Sequence, residues 1–132
     1  MQHEVLHPKG WKATPGYSNG IAARGRMVFT GGVVGWNADQ EFETDDFAAQ
    51  VETALRSIVA ILAEAGAKPE HLVRLTWYVT DKAEYLAALK ETGRAYREVI
   101  GKSYPAMALV QVVALVEDRA KVEIEATAVI PD

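Results

Sequence analysis

AMALVQVVAL, residues Ala106–Leu115, is apolar at every position except Gln111. Side chains alternate across a strand, so Met107, Leu109 and Val113 would face one side and Ala108, Val110 and Val112 the other. A strand this apolar on both sides reads as buried on both faces. The stretch after it behaves differently. From Lys121 to Val129, Val122, Ile124, Ala126 and Ala128 alternate with Glu123, Glu125 and Thr127, the pattern of a half-buried strand. Upstream, Leu72 to Thr80 also alternates, with Val73, Leu75, Trp77 and Val79 against Arg74, Thr76 and Tyr78.

Two helices fill the gaps between these strands. In the first, Phe47, Val51, Ala54, Leu55, Ile58, Ile61, Leu62 and Ala65 recur at spacings of three and four and form one stripe. Asp45 or Asp46 is placed to cap its free N–H groups, and Gly66 ends it. Asp81 followed by Glu84 is a capping-box pattern for the second helix, whose stripe is Leu86, Leu89, Gly93, Tyr96 and Ile100, with Gly101 as its stop. Ahead of both, Met1 to Gly20 is rich in Pro, Gly and polar residues and reads as an extended arm with turns. Gly20 to Ala23 and Met27 to Val34 flank Arg24-Gly25-Arg26, which predicts a β-hairpin, and Gly35 to Thr44 predicts a loop.

The order is therefore hairpin, helix, strand, helix and two strands, an α+β or mixed α/β fold with both helices on one face of the sheet. Two helices cover only that face. The doubly apolar strand then needs a second cover, from a long loop or from another subunit; the long loops here are polar, which favours another subunit.

A chain of 132 residues, 49% of them hydrophobic, suits one domain spanning residues 1–132 with a core of its own. It has no cysteine, which excludes disulfides, thiol nucleophiles and Cys-based metal sites. Fourteen basic against 18 acidic residues leave a net charge of −4, and Lys and Arg are scattered as singles, so nucleic acid is not expected as a partner. No stretch approaches the ~20 apolar residues of a membrane span. The expectation is a cytoplasmic protein without a membrane contact. His3, His7 and His71 lack metal-ligand spacing, and Ser18, Ser57 and Ser103 have no histidine pattern to activate them.

Several segments together resemble the reactive intermediate deaminase (Rid) superfamily. They are Tyr17-Ser18-Asn19-Gly20, Phe29-Thr30-Gly31-Gly32, Glu64-Ala65-Gly66, Val79-Thr80-Asp81, Tyr104-Pro105-Ala106 and Val122-Glu123-Ile124-Glu125-Ala126, in order from about Tyr17 to Val129. The resemblance implies a chorismate-mutase-like (YjgF-like) fold, a homotrimer with small-molecule clefts between subunits, and hydrolytic deamination of enamines and imines without metal or cofactor. It assigns cleft roles to Tyr17, to the backbone at Thr30 and Gly31, and to Glu123 as the group that orients water. The family's carboxylate-binding arginine, two residues after the proline, falls on Met107.

Each assignment has a plainer reading. Glu123 also fits a solvated polar face opposite Val122 and Ile124, Tyr17 a ring covering the hairpin, and Gly31-Gly32 a bulge. Glu125 is taken as structural. A thioether in place of a guanidinium favours an apolar or uncharged ligand over the 2-iminoacids of arginine-bearing relatives. Arg24, Arg26 and Arg119 read as solvated charges rather than replacements for the clamp. Two functions fit these residues: an imine or enamine hydrolase with Glu123 orienting water, and a non-catalytic module that binds a small ligand or a protein. Relatives described as ribonucleases add a third activity, against which the acidic balance argues.

Overall fold

The computed structural model describes residues 3–132. Its elements run β1 (Glu4–Leu6), β2 (Gly20–Ala22), β3 (Gly25–Phe29), β4 (Val33–Val34), α1 (Phe47–Glu64), β5 (Leu72–Val79), α2 (Lys82–Ala87), α3 (Leu89–Val99), β6 (Ala106–Gln111) and β7 (Val122–Pro131). The main sheet is ordered β3-β7-β5-β6, and β4 also pairs with β7. β5 and β6 are parallel; the other pairs are antiparallel. This is the expected α+β architecture with a mixed sheet.

The alternation of β7 explains why it lies at the centre. Val122, Ile124, Ala126 and Ala128 are all buried and meet the α1 stripe of Val51, Leu55, Ile58 and Leu62, each fully buried. Burying such a side chain contributes about 1.5–3 kcal/mol, so this seam holds the helix to the sheet. The Asp46 carboxylate caps α1 by accepting from the Ala49 N–H at 3.0 Å, and Gly66 follows its end at φ 79°. Ile61, expected on the stripe, is exposed. Gln50 is fully buried on α1, but its polar atoms are all used. Its Nε2 donates to the carbonyls of Thr44 and Arg119, each at 3.0 Å, and its Oε1 accepts from the Lys121 N–H at 2.9 Å.

Four expectations need correction. The first is the hairpin: β2 pairs with β1, which lies inside the arm read as extended with turns, and β3 pairs with β7. Gly25 is not a turn glycine. It opens β3 opposite Pro131 at φ 146°, where a Cβ would overlap the Ile130 carbonyl. The second is β6, which ends at Gln111 instead of Leu115 and forms the sheet edge. A strand lasts only as long as its partner, and the last register pair is Val79 with Gln111. One further bond follows, from Val112 N–H to Val79 O at 2.8 Å; Val113 and Val116 then stand in solvent.

The third is the second helix, which is interrupted at Ala88 and leaves Leu86 and Leu89 exposed. Only half of its capping box forms. Asp81 Oδ1 accepts from the Ala83 and Glu84 N–H groups, whereas Glu84 Oε2 pairs with Lys121 Nζ at 2.7 Å instead of returning to Asp81. The fourth is in β5, where a register shift between Leu72 and Arg74 puts Leu72, not Val73, into the core.

Pairing fixes the two faces of the sheet, because directly opposed residues share a side. Met107 lies opposite Leu75, and Leu109 opposite Trp77, on the helix face. Tyr78 lies opposite Glu123 and Val110, and Thr127 opposite Phe29, on the other face. Met27, Phe29 and Val110 are exposed there.

Candidate functional site

Tyr17 is positioned by its neighbour. The Ser18 N–H donates to the Pro105 carbonyl at 3.0 Å, and its hydroxyl donates to the Tyr104 carbonyl at 2.5 Å. These bonds splice the arm onto the start of β6 and bring Tyr17 to a cleft shared with Met107. The cleft has a volume of about 550 Å³ and runs between β5–β6 and α3, with Trp77, Leu109, Tyr85 and Tyr104 among its walls. Tyr96 and Tyr104 stack at 5.4 Å between ring centroids, and the Tyr96 hydroxyl donates to the Ser103 carbonyl at 2.5 Å. Burial, with Tyr104 beside it, pushes the Tyr96 hydroxyl well above its ordinary pKa, so it stays protonated.

Two buried polar atoms in these walls, Trp77 Nε1 and Thr92 Oγ1, have no hydrogen-bond partner among the described residues. Such atoms cost about 1–3 kcal/mol each.

Thr30, Gly31 and Glu123 form a separate group. The Thr30 N–H donates to the Ala126 carbonyl at 2.9 Å, and the Thr30 hydroxyl accepts from the Ala126 N–H at 3.0 Å while donating to the Gly31 carbonyl at 2.8 Å. The turn is thereby tied to β7. A Cβ on Gly32 would overlap the Glu123 carboxylate, so that side chain lies directly against the turn, and Gly31 stands open with nothing near its Cβ position. Next to Glu123 on the same face, the Tyr78 hydroxyl donates to Glu125 Oε1 at 2.8 Å. That bond, then burial and the charges of Glu125 and Glu123, raise the Tyr78 pKa above its ordinary value.

The structure thus pairs Tyr17 with Met107, and Thr30 and Gly31 with Glu123. It does not bring the two groups together. Met107 is on the helix face and Glu123 on the other, with the sheet between them.

Of the arginines weighed from sequence, none lines the cleft. Arg24 pairs with Asp132, Arg26 bonds the Ala65 carbonyl, and Arg119 holds Asp45 and the Phe42 carbonyl. Arg97 of α3 does line it. Sequence reasoning passed over it, although its spacing from Gly93 and Tyr96 puts it beside the apolar stripe already read on that helix. Among the described residues, no cluster of His, Cys, Asp and Glu is placed to hold a metal ion, and no helix is long and apolar enough to cross a membrane.

Residues 9–130 match the Endoribonuclease L-PSP family. The chain belongs to this family, within the Rid superfamily. Its relatives agree in length as well as in sequence. A 2-iminobutanoate/2-iminopropanoate deaminase of Escherichia coli strain K12 is 33% identical over 105 residues, 80% of each chain. A RutC family protein of Pasteurella multocida is 30% identical over 126 residues, covering 96% of this chain and 97% of that one. The crystal structure of YyfB, a Rid-family protein from Yersinia pestis, superposes with a TM-score of 0.88 at 30% identity, over 98% of this chain and 100% of the other. The mixed sheet backed by helices is therefore the Rid fold.

Proposed function

We propose that this Rid protein is a cytoplasmic, cofactor-independent hydrolase of a small imine or enamine. In this reading it works as a homotrimer, each cleft joining the Tyr17–Met107 group of one copy to the Thr30–Gly31–Glu123 group of the next. The observation that carries the reading is the division of these residues between the two faces of one sheet. A single copy has two incomplete halves, and the apolar Met27, Phe29 and Val110 on the helix-free face supply a surface for a second copy. The name of the E. coli relative supports the choice of reaction.

The chemistry asks little of the protein. Water adds to the C=N carbon, the nitrogen takes a proton, and the resulting carbinolamine collapses to a carbonyl and ammonia. Glu123 accepts a hydrogen bond from the water and aims it, which is positioning with general-base assistance. The open Gly31 backbone is available to the substrate's polar end.

Met107 sets the substrate range. A hydrogen bond to a charged group contributes about 1.5–3 kcal/mol, so a thioether in its place costs a short 2-iminoacid roughly ten- to hundredfold. The unmodified protein is expected to hydrolyse 2-aminoacrylate, generated in situ, only weakly. Met107→Arg is expected to raise kcat/KM on that substrate by at least about tenfold. Strong activity without the substitution would sink the account of Met107. Inactivity of both proteins would favour the second reading, a trimeric module that binds a ligand without turning it over; the predominantly apolar cleft is what keeps that reading in view. RNA cleavage, which the family's name suggests, is disfavoured by the net charge of −4 and the lack of a basic stripe.

A further inference from the structure

The cleft beside Met107, the position where the Rid resemblance expects an arginine, is lined by a different one, Arg97. Along α3, Leu89, Thr92, Gly93, Tyr96 and Arg97 all face it. Helical side chains lean toward the helix N-terminus, so Arg97 extends back over Gly93. A Cβ on Gly93 would lie 3.3 Å from the Arg97 guanidinium, and the bare glycine leaves that path open. Gly is among the least favourable residues inside a helix.

Arg97 is exposed at the rim of the cleft, and its charge has no protein partner among the described residues. Its helical neighbours three and four residues away are Gly93, Arg94, Ile100 and Gly101, none of them acidic, and it forms no salt bridge among the described residues. Within one copy the remaining wall is aromatic or aliphatic, apart from the Thr92 hydroxyl, the Trp77 N–H and the tyrosine hydroxyls. A volume of about 550 Å³ lies within the ~300–1,000 Å³ typical of small-molecule pockets. That leaves room beyond a three- or four-carbon acid.

We infer that this cleft selects an amphipathic organic anion, an aromatic or branched apolar carboxylate whose charge meets Arg97 and whose body lies against Met107, Leu109 and Tyr104. The cation of this cleft stands on α3 and not on β6, so the anionic end sits away from Met107 and the apolar body lies against the thioether. This deepens the hydrolase reading by naming its substrate class, and rests on that reading for the choice of cleft.

The test is binding without turnover, by isothermal titration calorimetry with 3-phenylpropanoate and its uncharged amide, 3-phenylpropanamide. Because Arg97 is exposed, the unmodified protein should prefer the acid by roughly three- to fivefold. Arg97→Gln should abolish that preference while leaving amide affinity unchanged, and Arg97→Lys should retain part of it. An acid preference that persists in Arg97→Gln, or no binding of either probe to the unmodified protein, would overturn the inference. Because no imine is present, failure of the hydrolase reading shows only in the 2-aminoacrylate assay, and failure of this one only here.

Discussion

Gly25 illustrates how one residue can be read correctly and placed wrongly. Its sequence context signals a backbone that only glycine adopts comfortably, and the structure agrees at φ 146°. The reason is the Ile130 carbonyl across the ladder, not a turn. Gly25→Ala should destabilise the fold by about 2 kcal/mol or more, seen as a lower urea midpoint with an unchanged slope. An unshifted midpoint would show that β3 and β7 can separate there at no cost. Glycine reports that something is close, and a local pattern cannot say which distant strand it is. The site has the same asymmetry. Met107 drew notice because a motif surrounds it, whereas Arg97 was passed over, since only the packing of β6 beside α3 brings it to the same cleft.

Helix α1 was the most legible element, because its periodicity, cap and stop all lie within one continuous stretch. Its cap can be tested directly. Asp46 accepts from Ala49 and Asp45 is engaged by Arg119, so no neighbour replaces a lost Asp46 carboxylate. Asp46→Ala should cost about 1 kcal/mol in equilibrium denaturation; no measurable loss would mean the carboxylate does not hold the helix end. Strand β6 was less legible. Its apolar composition continues to Leu115, but its length is set by β5, which stops pairing when the chain turns into Asp81 and α2. The exposed Val113 and Val116 show that apolar sequence alone does not make a strand.

For the whole molecule, the reading that matters is the open face. The double apolarity of residues 106–115 pointed to a second cover, and Met27, Phe29 and Val110 remain exposed on that side of the sheet. Phe29, at 64% exposure, contributes little to the fold of one copy, so Phe29→Glu should leave the circular dichroism unchanged. In sedimentation velocity the unmodified protein should run at the mass of three chains and the variant at the mass of one. A single-chain mass for the unmodified protein would remove the shared cleft.

The position of β7 also governs how the polypeptide leaves the ribosome. It lies between β3 and β5 and also pairs with β4, yet it is made after all of them. Until residues 122–131 have cleared the exit tunnel, the earlier strands lack their shared ladder and the nascent α1 keeps its apolar stripe uncovered. The chain's collapse then waits for β7 and comes in one long-range step.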